Sequence, residues 1–268
     1  MKTIFITGAS AGIGKATAKL FQSRGWHVIA TMRTPQSETE LSLLENVTLL
    51  PLDVTNIEQI RSTAEKAVNS YNIDVVLNNA GIPLFGPMEA VSEEQLLQQI
   101  NTNLLGTIRV TQAFIPFFRE RESGLFINVT SIAGLMAHPY SNVYHATKWG
   151  IEGWSESLSI ELAPFNIGVK TVEPSGTATN FFHMSDAKLA SHPAYNDSIK
   201  KMLNNITLNF TPLQVAEVIY EAATDDQDQL RYLAGPNAEK SYGRRLEIGP
   251  EAFRKEVKQW FLGLQGDK

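Results

Sequence analysis

Short apolar runs alternate with longer stretches of helical spacing along most of this chain. The runs Ile-Phe-Ile at 4–6, Val-Val-Leu at 75–77 and Leu-Phe-Ile-Asn-Val at 125–129 are largely apolar on both faces. Strands that are buried between two layers of helices have this character. Between the runs, apolar residues recur every three or four positions, which indicates amphipathic helices. Strands separated by such helices need crossover connections, so the pattern predicts a parallel sheet.

The predicted strands and helices follow one another along the chain as far as residue 234. The predicted strands cover residues 4–7, 27–31, 47–51, 74–77, 125–130, 168–172 and 232–234. The predicted helices cover residues 11–24, 56–71, 144–162 and about 250–262, with a long, bent helical region at 92–121 that contains Pro116. We therefore predict an α/β fold of the Rossmann type: a doubly wound, mostly parallel seven-stranded sheet with helices on both faces, in a single domain over residues 1–268.

This alternation is interrupted after the sixth strand. Residues 181–210 are rich in aromatic, Met, Asn and His side chains and do not continue the strand–helix pattern. An insertion near the ends of strands is typical of a lid or a substrate wall. We expect such a lid at about 177–210.

Composition and charge exclude several classes of protein. The chain has no cysteine, which excludes disulfides, iron–sulfur clusters and thiolate zinc sites, and we predict no metal site and a cytoplasmic location. The net charge of −5 argues against a nucleic-acid partner. No apolar run approaches the ~20 residues of a membrane-spanning helix. The apolar stretch at 4–6 is too short for a signal peptide, so we interpret it as the first strand.

A glycine-rich turn, Thr-Gly-Ala-Ser-Ala-Gly-Ile-Gly at 7–14, follows the first predicted strand and opens the first helix. Glycines allow a tight turn and a close approach of a pyrophosphate, while the helix N-terminus offers N–H groups. An ordinary glycine-rich turn is the alternative, but the position between strand and helix favours a dinucleotide site. The candidate cofactor contacts here are Gly8, Ser10, Gly12, Ile13 and Gly14.

The end of the second strand bears on the choice between NADP(H) and NAD(H). It reads Ala-Thr-Met-Arg, so Thr31 stands where many NAD sites carry an acidic residue, and Arg33 follows. Because an arginine can bind a 2′-phosphate, we prefer NADP(H), with NAD(H) as the alternative. A solvated loop cation is the other interpretation of Arg33. Lys15 is a weaker phosphate candidate.

Tyr144 and Lys148, in Tyr-His-Ala-Thr-Lys, lie one helical turn apart on the same helix face. A fixed cation beside a phenol favours the phenolate, so we expect Lys148 to lower the pKa of Tyr144. That pKa would then lie closer to the pH at which a general acid or base is effective. The pair alone is a weak signal, and the glycine turn makes it a strong one.

Further segments complete a recognisable set. They are Asn-Asn-Ala-Gly at 78–81, Leu-Asp-Val at 52–54, and the single residues Asn103 and Ser131. With the glycine turn and the Tyr–Lys pair, they make the chain resemble the short-chain dehydrogenase/reductase family in its single-domain form, over residues 1–235. The ending Ala-Thr-Met-Arg is similar to NADP-preferring members, including those related to 17β-hydroxysteroid and retinol dehydrogenases.

The resemblance implies hydride transfer between a nicotinamide and a carbonyl or secondary alcohol. It implies that Tyr144 is the acid/base, that Ser131 holds the substrate oxygen, that Lys148 binds the nicotinamide ribose, and that Asn103 orients a water. Ser131 as a turn cap and Asn103 as an exposed helix residue are the alternatives. The further cofactor contacts that it implies are Asp53, Val54, Asn79, Ala80, Gly81, Tyr144, Lys148, Pro174, Gly176, Thr177 and Thr179.

The segment after the sixth strand departs from the family pattern. It reads Glu-Pro-Ser-Gly-Thr-Ala-Thr at 173–179, so the glycine is displaced by one position to Gly176. Either Thr177 or Thr179 is then placed to contact the nicotinamide amide. The sequence leaves this choice open.

The substrate site is expected to be apolar. The candidate substrate contacts are Ser131, His138, Tyr144 and Phe181, and the candidate wall residues are Leu135, Met136, Phe181, Phe182 and Met184. Packing of a lid onto the core is the alternative for the wall residues. A small-molecule carbonyl or alcohol is the expected partner. A homodimer or homotetramer is expected through the helices near 95–120 and 144–162.

Two other functions stay open. One is a cofactor-binding sensor or scaffold without turnover, and the other is an NAD-dependent dehydrogenase of the same family. An epimerase or dehydratase on the same fold ranks low, because such relatives usually carry a larger C-terminal substrate domain.

Overall fold

The structure is a computed structural model that describes residues 1–179, 181, 189–204 and 207–262. Within these residues, the central sheet has seven strands, and every neighbouring pair is parallel. The strands are β1 (Thr3–Ile6), β2 (His27–Met32), β3 (Val47–Pro51), β4 (Val75–Asn78), β5 (Gly124–Val129), β6 (Ile167–Pro174) and β7 (Arg231–Ala234). Their spatial order is β3-β2-β1-β4-β5-β6-β7. The predicted parallel, doubly wound sheet is therefore confirmed.

Helices cover both faces of the sheet. They are α1 (Gly12–Ser23), α2 (Ile57–Ser70), α3 (Glu93–Gln99), α4 (Gly106–Arg121), α5 (Asn142–Leu162), α6 (Asn196–Asn204), α7 (Pro212–Thr224), α8 (Pro236–Ile248) and α9 (Pro250–Leu262). The order of strands reverses between β1 and β4, and in open α/β sheets ligands bind at the carboxyl ends of strands beside such a reversal.

The alternation of side chains along each strand produces two hydrophobic cores. Ile4 and Ile6 point to one face of β1 and join a cluster with Phe21 of α1 and Ile219 of α7. Phe5 points to the other face and packs against Phe114 of α4, with 4.8 Å between ring centroids. This double burial explains why the strands read as continuous apolar runs.

The long helical region predicted at 92–121 is interrupted. Ser92 begins α3 with a reciprocal capping arrangement with Gln95, and a π-helical turn, Ile100–Leu105, separates α3 from α4. The departure from regular α-helix therefore lies at the π turn, whereas Pro116 is accommodated within α4. π turns inside helices are frequent at functional sites, and this one contains Asn103.

A third hydrophobic cluster lies where α6 and α9 meet the loops that follow β4 and β5. Phe253, Val257 and Phe261 of α9 pack with Phe85 and Met136. Two isolated bridges tie the neighbouring segments together, one between Phe85 and Leu189 and one between Thr177 and Phe210. The candidate wall residues Phe182 and Met184 lie outside the described residues.

Over the described ranges, no helix has both the length and the apolar character that crossing a membrane requires.

Candidate active site

One face of α5 carries the predicted tyrosine and lysine. The Lys148 ammonium lies 5.7 Å from the centre of the Tyr144 ring. Its Nζ donates a hydrogen bond of 2.9 Å to the carbonyl oxygen of Val129, at the carboxyl end of β5. Only 6% of the surface of Lys148 is exposed, and Tyr144 is half-buried. The pair is thus held against the end of the sheet, as its spacing predicts.

The pKa of Tyr144 differs from our expectation. Burial raises it to about 12, and the hydrogen bond with Ser131 only partly offsets this rise. Burial also lowers the pKa of Lys148 to about 8, against the opposing effect of the Glu152 carboxylate. The expectation of a lowered phenol pKa is therefore wrong for this structure, because burial is the largest effect on the pKa of Tyr144.

Ser131 fulfils two roles at the end of β5. Its hydroxyl accepts a bond of 3.1 Å from the backbone N–H of Ala133, which caps a short 3-10 turn, Ile132–Gly134, and it lies close enough to the phenol of Tyr144 to lower the pKa of that group. The serine is therefore a turn cap whose hydroxyl also contacts the tyrosine. This double contact places its oxygen beside the phenol.

Asn103 is buried in the π turn, not exposed as the alternative interpretation held. Its Oδ1 accepts a bond of 2.9 Å from the backbone N–H of Ile82, and its Nδ2 donates one of 2.9 Å to the carbonyl oxygen of the same residue. Gln99, one turn earlier, donates to that same carbonyl oxygen at 2.9 Å. The three bonds fix the loop that follows β4.

The glycine turn lies directly against the Asn-Asn-Ala-Gly segment. The Thr7 hydroxyl accepts bonds from the backbone N–H groups of Asn79 and Ala80, at 3.0 and 3.1 Å. The Asn79 amide donates to the carbonyl oxygens of Thr7 and Gly8, both at 3.0 Å. Gly8 has φ +69°, and a Cβ there would lie 2.8 Å from Cα of Ala80. A Cβ at Gly14 would lie 2.3 Å from the Gly8 oxygen.

The start of α1 suits an anion. Ala11 precedes the helix without a side-chain cap, and the first turn contains no acidic residue. By contrast, α2, α3 and α7 each begin with a side chain that accepts a backbone N–H. The first N–H groups of α1 are thus left for another acceptor, and a phosphate is a suitable one. Of the other two predicted contacts in this turn, Ser10 is exposed and Ile13 is half-buried.

The segment after β6 connects this turn to the tyrosine. A Cβ on Gly12 would lie 3.4 Å from Cγ2 of Thr179. The Thr179 hydroxyl accepts a bond of 3.2 Å from the backbone N–H of Phe181, whose ring meets that of Tyr144 edge to face at 5.7 Å. Thr177, in contrast, is buried and donates to the carbonyl oxygen of Ser175 at 2.9 Å. Of the two threonines, Thr179 therefore lies beside the glycine turn.

Pro174 and Gly176, in the same segment after β6, pack against neighbouring parts of the chain. Pro174 ends β6 and pairs with Ala234 of β7, and its carbonyl oxygen is 3.5 Å from the Ser131 hydroxyl. A Cβ on Gly176 would lie 2.1 Å from the carbonyl oxygen of Thr207, so this glycine lets the two segments approach.

The predicted adenosine side lies at the ends of β2 and β3. Arg33 is exposed immediately after β2. Lys15 instead forms ion pairs with Glu38 and Glu40, at 3.0 and 2.9 Å, so the weaker phosphate candidate already has anionic partners. Asp53 accepts from both the backbone N–H and the hydroxyl of Thr55. Of the other predicted contacts, Val54 is buried against Gly106, and Gly81 lies beside Asn103.

His138 packs against His145 and Phe261. Its backbone N–H donates to Nε2 of His145 at 3.1 Å, and its ring is 5.9 Å from that of Phe261. His145 also donates from Nδ1 to the carbonyl oxygen of Ala133 at 2.7 Å, which fixes the neutral tautomer. Burial lowers the pKa of His138 to about 4. Both rings are therefore uncharged at neutral pH.

Three residues that support the site were not identified from the sequence: Thr111, Asn128 and Ser155, which bond to Asn78 or to one another. Asn78 donates to Asn128 at 2.9 Å and to Thr111 at 2.8 Å, and Asn128 donates to the Ser155 hydroxyl at 2.9 Å. This buried polar chain joins β4 and β5 to α4 and α5, beneath the pair on α5. An amide within an otherwise apolar strand is the sequence signal that could have located Asn128.

Comparison with known proteins places this geometry in a class. A glycine turn at a sheet reversal, with a Ser–Tyr–Lys cluster at the carboxyl ends of the strands, is the arrangement of a nicotinamide-dependent oxidoreductase on a Rossmann fold. Residues 2–190 match the family model described as short chain dehydrogenase. The chain belongs to the short-chain dehydrogenase family, whose members act on CH–OH and C=O groups with NAD(P).

Individual relatives agree with this assignment. An uncharacterized oxidoreductase of Schizosaccharomyces pombe is 41% identical over 228 residues, which cover 83% of this chain and 96% of that protein. Retinol dehydrogenase 8 of Bos taurus is 32% identical over 189 residues, covering 67% of this chain and 60% of that protein. The predicted similarity to retinol dehydrogenases is thus confirmed.

Solved structures share the fold over nearly the whole chain. A short-chain dehydrogenase from Streptomyces avermitilis superimposes with a TM-score of 0.85 at 31% identity, covering 97% of this chain and 96% of that one. A protein named ElxO, solved with NADP bound, superimposes with a TM-score of 0.76 at 28% identity, covering 89% of this chain and 99% of that one.

Proposed function

We propose that this protein is an NADP(H)-dependent oxidoreductase that interconverts an apolar carbonyl compound and its secondary alcohol, with Tyr144 as acid and base. The observation that carries the proposal is the contact of the Ser131 hydroxyl with the Tyr144 phenol, beside the Lys148 ammonium. Two hydroxyls that meet in this way offer two hydrogen bonds to one substrate oxygen.

The residues at the glycine turn fit a dinucleotide. The N–H groups at the start of α1, left without a side-chain cap, would hold the pyrophosphate, and Gly12 and Thr179 border the same place. Arg33 would bind a 2′-phosphate, since its guanidinium is exposed and Thr31 brings no opposing carboxylate. The NADP bound to ElxO supports this choice by similarity. An NAD-dependent member of the family is the alternative.

The remaining predicted contacts complete this proposed cofactor site. Asp53 and Val54 would border the adenine. The strand-end residues Asn79, Ala80 and Gly81 would lie beneath the dinucleotide. The nicotinamide would be bordered by Pro174, Gly176 and Thr179. Thr179 is preferred to Thr177 here because the Thr177 hydroxyl already donates to Ser175.

When bound, the nicotinamide supplies or accepts the hydride. The chain's own residues handle the proton and the charge. Tyr144 donates its phenolic proton to the substrate oxygen during reduction, and Ser131 donates a hydrogen bond to the same oxygen as negative charge develops. Lys148, as an ammonium, stabilises the phenolate that remains. Asn103, whose amide fixes the loop at Ile82, would orient the water that returns the proton from solvent.

An apolar substrate is favoured by the surroundings of Tyr144. Phe181 lies against its ring, and Met136 belongs to the cluster with Phe85 and Phe253. These side chains offer few hydrogen bonds, so a bulky apolar group beside the carbonyl would lose little on leaving water. We further propose that part of 177–210 acts as the lid over this substrate. His138, whose ring packs against those of His145 and Phe261, would then border the far end of the site.

Assembly and location complete the proposal. Large apolar side chains are exposed on the long helices of the predicted interface: Leu97, Phe117, Trp149 and Ile160. A homodimer or homotetramer that buries them would be weakened by Ile160→Glu, and light scattering after size exclusion measures the loss. We also propose a cytoplasmic location, which the lack of cysteine suits and cell fractionation tests.

The test combines turnover with nucleotide binding. Wild-type protein is mixed with NADPH and a panel of aldehydes and ketones, and the absorbance of the reduced nicotinamide is followed. Tyr144→Phe should lower kcat by about 10²–10⁴-fold while NADPH still binds, as measured by fluorescence titration. Binding without turnover, unaffected by Tyr144→Phe, would support the sensor or scaffold instead. Turnover of small charged polyols alone would contradict the apolar substrate.

A further inference from the structure

Two glutamates are buried behind Lys148, and the proposed reaction assigns neither a role. Glu173, on β6, is fully buried, and Glu152, on α5, is 4% exposed. Within the part of the chain that the structure describes, neither carboxyl oxygen of Glu173 has a well-formed hydrogen bond, and the same holds for Oε1 of Glu152. Buried carboxylates without partners are costly, so their presence here calls for a physical explanation.

An arginine on β7 compensates one of the two charges. Arg231 Nε donates to Oε2 of Glu152 at 3.0 Å, and its Nη2 donates to the exposed Glu156 at 2.6 Å. Glu152 is therefore the member of the pair with a direct counter-ion. Among the described residues Glu173 has no such ion pair, and the nearby charges that act on its pKa are Glu152, which raises it, and Arg231, which lowers it.

Two like charges at this depth cannot both be ionised at low cost. Burial, with the charge of Glu152 second, raises the pKa of Glu173 to about 8. At neutral pH Glu173 is therefore mainly protonated, whereas the ion pair with Arg231 keeps the negative charge of the pair on Glu152. The charged groups facing this pair are Lys148 and Glu156 from α5 and Arg231 from β7, with the phenol of Tyr144 one turn further along α5.

That single negative charge lies one helical turn beyond Lys148. Besides the carbonyl oxygen of Val129, the ammonium has the Tyr144 ring at 5.7 Å and the charge of Glu152 in its surroundings. A neutral carbonyl dipole compensates a buried cation less well than a carboxylate does. The charge on Glu152 is thus what opposes the effect of burial on Lys148.

We propose that Glu152 and Glu173 form a carboxyl pair that shares one negative charge, and that this charge keeps Lys148 protonated. They are positioning residues, because they act on the reaction through Lys148. The inference rests on the proposed function only for its effect on turnover. Its effect on the ionisation of Lys148 exists whether or not the protein turns over a substrate.

The sharing of one charge distinguishes this pair from an ordinary ion pair. In Glu173→Gln, Glu152 stays ionised and Lys148 keeps its partner. In Glu152→Gln, Glu173 loses the repulsion that adds to the effect of burial, so its pKa falls and its ionised fraction partly replaces the missing charge. Only the double variant removes the charge completely, so the two substitutions are expected to be strongly non-additive.

The kinetic test follows kcat/KM for carbonyl reduction against pH. The alkaline limb, where Lys148 loses its proton, should move to lower pH by about one unit in the double Glu152→Gln, Glu173→Gln variant. It should move less in Glu152→Gln and stay in place in Glu173→Gln. Glu156→Gln is the matched control, because it removes an exposed carboxylate from the same helix and the same arginine, and its limb should coincide with that of wild type.

A second measurement is independent of turnover. The pKa of Lys148 is read from the NMR shift of ¹³C-labelled lysine, with the signal assigned by its loss in Lys148→Met. It should fall in the double variant and not in Glu156→Gln. If the double variant does not fold, Glu152→Gln alone tests the proposal, because the pKa of Lys148 must still fall in that variant. An unchanged Lys148 pKa in folded variants overturns the proposal. A lowered pKa in a protein inactive on every carbonyl supports the pair and contradicts the proposed function instead.

Discussion

Asn103 forms two hydrogen bonds with the backbone of Ile82: its side-chain oxygen accepts from the N–H, and its amide nitrogen donates to the carbonyl oxygen. Asn103 lies in the π turn between α3 and α4, and Ile82 follows the Asn-Asn-Ala-Gly segment that borders the glycine turn. The Asn103 side chain thereby couples the π turn to the position of the loop at Ile82, on the side of the proposed cofactor site.

Replacing Asn103 by alanine tests this coupling. The change increases helix propensity, so a purely local effect would stabilise the protein. Loss of two buried hydrogen bonds should instead lower the free energy of unfolding by about 1–3 kcal/mol. Chemical denaturation measures it. Asn101→Ala, in the same π turn, is the control and should be close to neutral; equal losses in both variants would argue against a special role for Asn103.

Ser131→Ala separates capping from chemistry. If the hydroxyl holds the substrate oxygen, kcat should fall by about 10²–10³-fold, because one donor to the developing charge is lost. The variant also loses the cap at Ala133, which costs about 1 kcal/mol of stability. Ser92→Ala loses a comparable cap at α3, away from the site. A fall in kcat that is equal in the two variants would mean that Ser131 acts only as a cap.

Arg33→Ala tests the choice of cofactor. Removing the guanidinium should weaken NADPH binding by about 10–100-fold, because a charge-assisted bond to the 2′-phosphate is lost, and leave NADH binding unchanged. Fluorescence titration with both nucleotides measures this without any substrate. Arg61→Ala, an exposed cation on α2, controls for general charge effects. An NADPH preference that survives in Arg33→Ala rejects the assignment.

Glu173→Gln should make stability less dependent on pH. Burial places the folded-state pKa of Glu173 near 8, above the ordinary value of 4.5, so folding favours the protonated form. The stabilisation is complete below about pH 4.5 and is lost as the pH rises through 8. The melting temperature of Glu173→Gln relative to wild type should therefore rise by about 2 °C or more between about pH 5 and pH 8.

The control for this comparison is again Glu156→Gln. Its carboxyl group is largely exposed, so its difference from wild type should stay nearly constant over the same pH range. A Glu173→Gln difference that does not change with pH would show that Glu173 is ionised throughout, contrary to the one-proton pair.

The sequence was sufficient for the parts of the fold that depend on local pattern. Runs such as Val-Val-Leu at 75–77 predicted strands because burial on both faces leaves no polar alternation, and parallel pairing followed from the helices between them. Helix positions such as 144–162 were close for the same reason. The π turn at Ile100–Leu105 was not predicted, since one extra residue in a turn hardly changes the apolar spacing.

The site was predictable in its residues and less so in their electrostatics. The spacing of Tyr144 and Lys148 placed both on one face, but the pKa of Tyr144 depends on how closely Phe181 and Ser131 approach it. Those contacts join distant segments of the chain. The same applies to Glu152 and Glu173, which come together only through the packing of α5 on the sheet. The spacing of residues along one helix gives no information about contacts between segments that are distant in the sequence.

The stacking of Tyr144, Lys148 and Glu152 along three consecutive turns of α5 has a consequence for protein engineering. A designer who grafts only the Tyr-x-x-x-Lys signature onto another scaffold transfers the reacting pair without the buried carboxyl groups that keep the lysine protonated. A working graft would need the following turn as well, together with the two outer strands that carry Glu173 and Arg231, so the smallest transferable unit of this chemistry is a helix with the sheet edge beneath it.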